Sequence, residues 1–116
     1  MKRFDHSSPL SNPIVHILLA LAQSDLHGYG IMQEIKSLSG GEYKLGPGTL
    51  YDNLRTLLSA GLVTEFMEPS DATEPRRIYH LTGSGLRALD VELVRLSKVV
   101  RAGRKRLSAP SPKEAL

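Results

Sequence analysis

The 116-residue sequence contains no cysteine. That absence excludes disulfides, thiolate zinc sites, iron–sulfur clusters and cysteine nucleophiles together, and with a reducing compartment as the default the expected location is cytoplasmic. Tryptophan is absent too, and the only aromatic side chains besides histidine are four tyrosines and two phenylalanines. There is no long apolar run. Ile14–Ala22 is interrupted by His16 and falls short of the roughly eighteen residues that a membrane span requires, so no membrane partner is expected. Lys2 and Arg3 ahead of it, with Ala20-Leu21-Ala22 behind, imitate a signal peptide, but Asp5, Pro9 and Pro13 separate the charges from the apolar stretch.

Catalytic and metal-binding patterns are equally sparse. His6, His16, His27 and His80 form no i, i+4 pair and no His–Glu partnership, so no metal site is expected. Gly46-Pro47-Gly48-Thr49 lacks the lysine of a phosphate-cradling loop, and Gly28-Tyr29-Gly30 lacks the third glycine of a dinucleotide fingerprint. No serine–histidine–acid arrangement stands out, which leaves no enzymatic reading and no cofactor.

What is present fits one globular domain, with 41% hydrophobic and 23% charged residues. A chain of this size buries a modest core and gains stability from pairing with a second copy, so a dimer is expected. The net charge of +3 is unevenly placed. Residues 1–60 carry five charges of each sign, whereas residues 61–116 carry ten basic and seven acidic ones, among them the acid-free series Lys98, Arg101, Arg104, Lys105 and Arg106. Such a block suits either an anionic partner or a solvated helix end favoured by the helix dipole.

Polar residues 1–12 read as a flexible arm and 108–116 as a disordered tail. Asn12-Pro13 opens a helix with Ile14, Ile17, Leu18 and Leu21 on one stripe; a second helix carries Ile31, Ile35 and Leu38 and stops at Gly40-Gly41. After a short extended piece, Glu42–Leu45, Pro47 starts a third helix, whose core face is Leu50, Leu54, Leu57 and Leu58 and whose left-handed stop is Gly61. Two strand-like runs, Leu62–Met67 and Arg76–Leu81, flank a polar loop and read as a hairpin. Thr82 caps a last helix in which Leu86, Leu89, Leu93, Leu96 and Val100 recur at heptad spacing.

This order predicts a mainly α, α+β winged-helix architecture: a three-helix winged helix-turn-helix domain over residues 13–82, a β-hairpin wing, and a long dimerisation helix over 83–107. The third helix suits the major groove, which admits a helix because it is about 12 Å wide. Its outer side carries Thr49, Asp52, Arg55, Thr56 and Ser59, with Tyr51 and Asn53 on the flanks. An ordinary amphipathic helix has the same pattern. Arg76 and Arg77 follow the loop and are placed to reach a DNA backbone, although Glu68, Asp71 and Glu74 in that loop offer them carboxylate partners.

His27-Gly28-Tyr29-Gly30-Ile31, Leu45-Gly46-Pro47-Gly48-Thr49-Leu50-Tyr51, Gly61-Leu62-Val63 and Pro75-Arg76-Arg77-Ile78-Tyr79-x-Leu81-Thr82 follow in unbroken order. Together they resemble the PadR family of winged helix-turn-helix transcriptional regulators, in its shorter form with a single C-terminal helix. The resemblance implies a repressor that binds a palindromic operator in double-stranded DNA as a homodimer, through helix 46–60 and wing 68–77, and releases it when a small-molecule effector binds near the dimer interface. It places Thr49, Tyr51, Asn53 and Arg55 on the recognition helix, Arg76 and Arg77 at the wing base, and Leu86, Leu89, Leu93, Leu96 and Val100 in the dimer interface. Some relatives sandwich flat ligands between tryptophans of the last helix, for which this sequence has no counterpart. The alternative is a winged-helix protein–protein interaction module without sequence-specific DNA binding, favoured by the acidic wing and the mild net charge.

Overall fold

Four helices and three short strands follow in the order α1 (Asn12–Leu21), β1 (Leu26–His27), α2 (Gly28–Leu38), α3 (Pro47–Ser59), β2 (Val63–Met67), β3 (Arg77–Leu81) and α4 (Gly83–Ser108), in a computed structural model that describes residues 8–69 and 74–108. α1 is the hub. Proline in its first turn costs no intrahelical bond, and Ile14, Val15, Ile17, Leu18, Ala20 and Leu21 are all buried, because α2, α3, α4 and β3 pack around it. Ile31 and Ile35 of α2 meet it as the stripe predicts, but Leu38, expected on that stripe, is exposed one turn later.

α3 buries Leu50, Leu54 and Leu57. Gly61 ends the segment at φ +74°, where the Leu62 N–H reaches back to the Leu57 carbonyl at 3.0 Å and the Gly61 N–H to that of Leu58 at 3.2 Å. This double bond pattern needs a left-handed residue, which glycine supplies without steric cost.

The hairpin forms with Val63 opposite Leu81 and Met67 opposite Arg77. One further bond, Glu68 N–H to the Arg76 carbonyl at 2.8 Å, carries the pairing toward the tip, of which residues 70–73 lie outside the described residues. The third strand is not where the sequence suggested. Glu42–Leu45 pairs with no strand, because Ser39 Oγ accepts the Tyr43 N–H at 2.9 Å and donates to the Tyr43 carbonyl at 3.1 Å, satisfying that backbone locally. Instead β1 lies on the far edge of β3, Leu26 opposite Tyr79 and His27 opposite Ile78, giving the order β1-β3-β2. Two residues are too few to show a strand period.

α4 starts where Thr82 Oγ1 accepts the Gly85 N–H at 3.0 Å while donating to the Gly61 carbonyl at 2.7 Å. Its 26 residues span about 39 Å. Only the first half touches the domain, and residues 97–108 are all exposed, drawing the molecule out to 71 Å along its long axis. The heptad seam therefore divides. Leu89, expected in the dimer interface, is 3% exposed and belongs to the chain's own core, since its position on the helix turns it toward the domain. Leu86, Leu93 and Val100 are exposed and Leu96 is half-buried. Leu107, 84% exposed, continues the series Leu86, Leu93, Val100 at seven-residue spacing.

Residues 1–7 and 109–116, most of the expected arm and tail, lie outside the described residues. Leu10, assigned to the flexible arm, is instead docked: its side chain packs against the core and its N–H donates to Glu92 Oε2 at 3.1 Å. Glu92 is 4% exposed and also accepts from Arg95 at 2.6 and 2.9 Å. Chiefly the Arg95 hydrogen bond, opposed by burial, holds its carboxyl below the usual range.

Candidate nucleic-acid interface

α3 presents an open polar side because its leucines are pinned inward. Thr49 is exposed in the first turn. Asn53, half-buried, spends one amide N–H on the Thr49 carbonyl at 2.8 Å. Arg55 is exposed and ion-paired with Asp52 one turn back.

Both wing arginines are held in the same manner. Arg76 donates to both Glu68 oxygens, at 3.0 and 3.3 Å, and to His27 Nε2 at 3.2 Å. A guanidinium only donates, so Nε2 is the unprotonated ring nitrogen of His27. Arg77 lies 3.5 Å from Glu65. In the free protein each of the three arginines assigned to DNA thus rests on a carboxylate of its own helix or hairpin. Exposed pairs of this kind are worth about 0–1 kcal/mol, so a phosphate can take the guanidinium over at little cost.

Tyr51, Arg76 and Arg77 are brought together around one cleft, with His27, Gly28, Tyr29 and Tyr79. Thr49, Asn53 and Arg55 do not line it. Gly28 lets the Tyr51 ring approach closely, since a Cβ on it would stand 2.3 Å from the Tyr51 hydroxyl and the ring would have to swing aside. Tyr79 was not among the expected site residues. It sits on β3 under the wing, 4% exposed, and burial first, then the Glu65 charge, raises its pKa, so the phenol keeps its proton. Its place in Arg76-Arg77-x-Tyr79 was the available signal, and a strand tyrosine reads as core until its neighbours are known.

Further features bear on function. Lys98, Arg101, Arg104, Lys105 and Arg106 are exposed on the protruding half of α4, and among the described residues none pairs with a carboxylate. No group of three metal-ligating side chains gathers among the described residues, and no helix there is long and apolar enough to cross a membrane.

A helical triad whose third member lies beside a β-hairpin, with a small sheet completed by a strand ahead of the second helix, defines a winged helix-turn-helix protein. Residues 17–91 match the PadR-like family of transcriptional regulators, and the chain belongs to that family, one of regulators rather than enzymes. Transcriptional regulator Rv3488 of Mycobacterium tuberculosis is 34% identical over 87 residues, covering 75% of this chain and 78% of that protein. Among solved structures, Bacillus subtilis PadR in complex with operator DNA superposes with a TM-score of 0.66 at 26% identity, over 74% of this chain and 49% of the other. A PadR family regulator from Clostridium difficile R20291 shares the fold with a TM-score of 0.73 at 21% identity, over 84% of this chain and all 100% of its own.

Proposed function

We propose that this protein is a ligand-responsive repressor that binds a palindromic DNA operator as a homodimer, with α3 in the major groove and the wing on the adjoining backbone. The observation that carries the reading is the convergence of Tyr51 from α3 with Arg76 and Arg77 from the wing on one open face. The likeness to a regulator whose structure holds operator DNA points the same way. Thr49, Asn53 and Arg55 are assigned to base edges and phosphates of the groove, and Arg77 to the flanking backbone.

The dimer is assigned to residues 83–107 of α4. Leu86, Leu93 and Val100 form its exposed seam, Leu96 borders it, and Leu107 continues it beyond that range. An isologous pair brings two recognition helices to half-sites one DNA turn, about 34–36 Å, apart, which is why the operator is expected to be palindromic. A cleft of about 330 Å³ beside α4, bounded by Leu10, Leu62, Ala88, Val91 and Glu92, is the candidate effector site. A protein–protein interaction module is the second reading, favoured by the neutralising carboxylates Asp52, Glu65 and Glu68.

Fluorescence-anisotropy titration against the DNA upstream of the protein's own gene and against scrambled DNA, at two salt concentrations, separates the two. Salt-sensitive binding that prefers the native site by about a thousandfold supports the repressor. Binding to neither, even at low salt, gives the interaction module the lead.

A further inference from the structure

The charge of this chain is divided between its two parts. The winged domain over residues 13–82 carries five basic and eight acidic side chains, whereas α4 carries seven and two. On the winged face itself, Arg55, Arg76 and Arg77 rest on Asp52, Glu68 and Glu65. Duplex DNA carries one negative charge per about 1.7 Å of axis, and salt-dependent affinity comes from cations that replace its counterions. The winged domain has a deficit of them. On the protruding half of α4, by contrast, Lys98, Arg101, Arg104, Lys105 and Arg106 are all exposed and have no carboxylate partner among the described residues. The helix dipole favours cations only within the last turn, which accounts for Lys105 and Arg106 but not for Lys98, Arg101 and Arg104. Like charges three and four positions apart, Lys98 with Arg101 and Arg101 with both Arg104 and Lys105, cost helix stability. No tertiary contact offsets that cost, since residues 97–108 are all exposed, and a local conflict of this kind marks a functional surface.

The cations are ordered around the helix. Lys98, Arg101 and Lys105 follow at steps of three and four and form one row, with Arg104 and Arg106 standing roughly 100° to either side of it. That row lies roughly 130° round the helix from the Leu93, Val100 and Leu107 line, so pairing along the exposed seam leaves it open. The course of α4 sets where the row points. Leu86 borders one cleft with Leu21 at the end of α1, and Glu92 holds the Leu10 N–H ahead of its start, so α4 runs antiparallel to α1. α1 leads toward β1, whose His27 lines the cleft of Tyr51, Arg76 and Arg77. The tip of α4 therefore leaves the domain at the end remote from the winged face.

We propose that the tip of α4 is a second, sequence-independent nucleic-acid contact, in which Lys98, Arg101 and Lys105 take backbone phosphates of a duplex segment other than the one on the winged face. The proposal goes beyond the repressor reading and draws from it that DNA is the polyanion at hand. Charge on three sides of a helix suits a groove, where phosphates stand to the left and right of whatever lies in it, and Arg104 and Arg106 are placed to meet them. An acidic partner helix would engage the single row alone. A lipid surface requires a broad apolar face with aromatic anchors. α4 has no aromatic residue, and Val100 and Leu107 belong to the seam.

The test combines Lys98→Gln, Arg101→Gln and Lys105→Gln in the full chain. Glutamine is as good a helix former as the residues it replaces, so far-UV ellipticity should match the parent and the melting temperature should not fall. Anisotropy titration of a short scrambled duplex over a series of salt concentrations should give a slope reduced by about 2.7, the share of three phosphates. With a donor on a duplex from upstream of the protein's own gene and an acceptor on the scrambled duplex, the parent should bring the two together and the triple variant should not. A parent that binds duplex, with slope and energy transfer both unchanged in the variant, refutes the tip contact and leaves the repressor reading standing. If the parent prefers neither duplex but the triple variant loses slope and energy transfer, the operator reading fails and the tip contact stands. A slope that falls without energy transfer in the parent would place the tip on the same duplex, overturning the second segment. No duplex binding by the parent at low salt refutes both. Vesicles of phosphatidylcholine with phosphatidylserine, and poly-glutamate, are titrated alongside. Binding to either that the triple variant loses, at an unchanged duplex slope, would overturn the nucleic-acid assignment in favour of a lipid surface or an acidic protein.

Discussion

Gly85→Ala and Gly103→Ala make the same chemical change on α4 and should have opposite effects. Alanine in place of glycine inside a helix stabilises by about 1 kcal/mol. At Gly103 nothing among the described residues lies within 4 Å of the added methyl, so the whole gain is expected. At Gly85 the methyl would stand 2.1 Å from the Leu62 carbonyl oxygen and 2.5 Å from Leu81 Cδ1. The leucine end can yield. The carbonyl cannot, because it accepts the Thr82 N–H at 3.1 Å at the joint between the hairpin and α4. Restoring ordinary contact requires α4 to retreat by more than about 1 Å, and overpacking of this kind costs about 1–3 kcal/mol. With the propensity gain subtracted, Gly85→Ala should destabilise by up to about 2 kcal/mol, roughly 4–8 °C per kcal/mol in a domain of this size. Circular-dichroism melting at one fixed protein concentration, which holds any dimer contribution constant, is the assay. A Gly85→Ala protein that melts above the parent temperature, as Gly103→Ala should, would refute the seating of α4 on Leu62.

Three further outcomes are expected. Leu93→Asp places a charge in the exposed seam of α4 and should convert the proposed dimer to monomer by sedimentation, leaving far-UV ellipticity intact; a full dimer would move the interface elsewhere. Asp52→Asn frees Arg55 and removes a negative charge from the proposed recognition face, so DNA should bind up to several-fold tighter, by about 0–1 kcal/mol, whereas Arg55→Ala should weaken it; anisotropy titrations that rank them the other way contradict the assignment. Glu92 has a depressed folded-state pKa, so its contribution is complete above the ordinary carboxylate range and is lost as pH falls through the depressed value. The melting temperature of Glu92→Gln should therefore lie below that of the parent at neutral pH, and the gap should close in acid. A gap that stays constant across the series would show that Glu92 acts by packing alone.

Much of the architecture was legible because it is written in local periodicity. Leucines at helical spacing fixed the core face of α3, and the existence of the hairpin, though not its register, followed from two strand-like runs bracketing a polar loop. Gly61 could be read as a left-handed stop because no other residue type takes that conformation so cheaply. The family likeness rode on the same segments, since glycines and tyrosines at fixed offsets serve tight approaches such as Gly28 against Tyr51.

Sequence by itself determined which faces are apolar and where the chain turns; the tertiary structure decided what covers each face. Leu89 and Leu93 belong to one heptad series, yet one faces the chain's own core and the other is exposed, because the domain covers only one side of α4. Leu10 and Glu92 are separated by 82 positions, and nothing local announces that a carboxylate will be buried to hold an arm. The third strand and the cleft around Tyr79 likewise arise from residues remote in sequence. Periodicity is a property of a single element, whereas a hydrogen bond across the fold depends on where two elements come to rest.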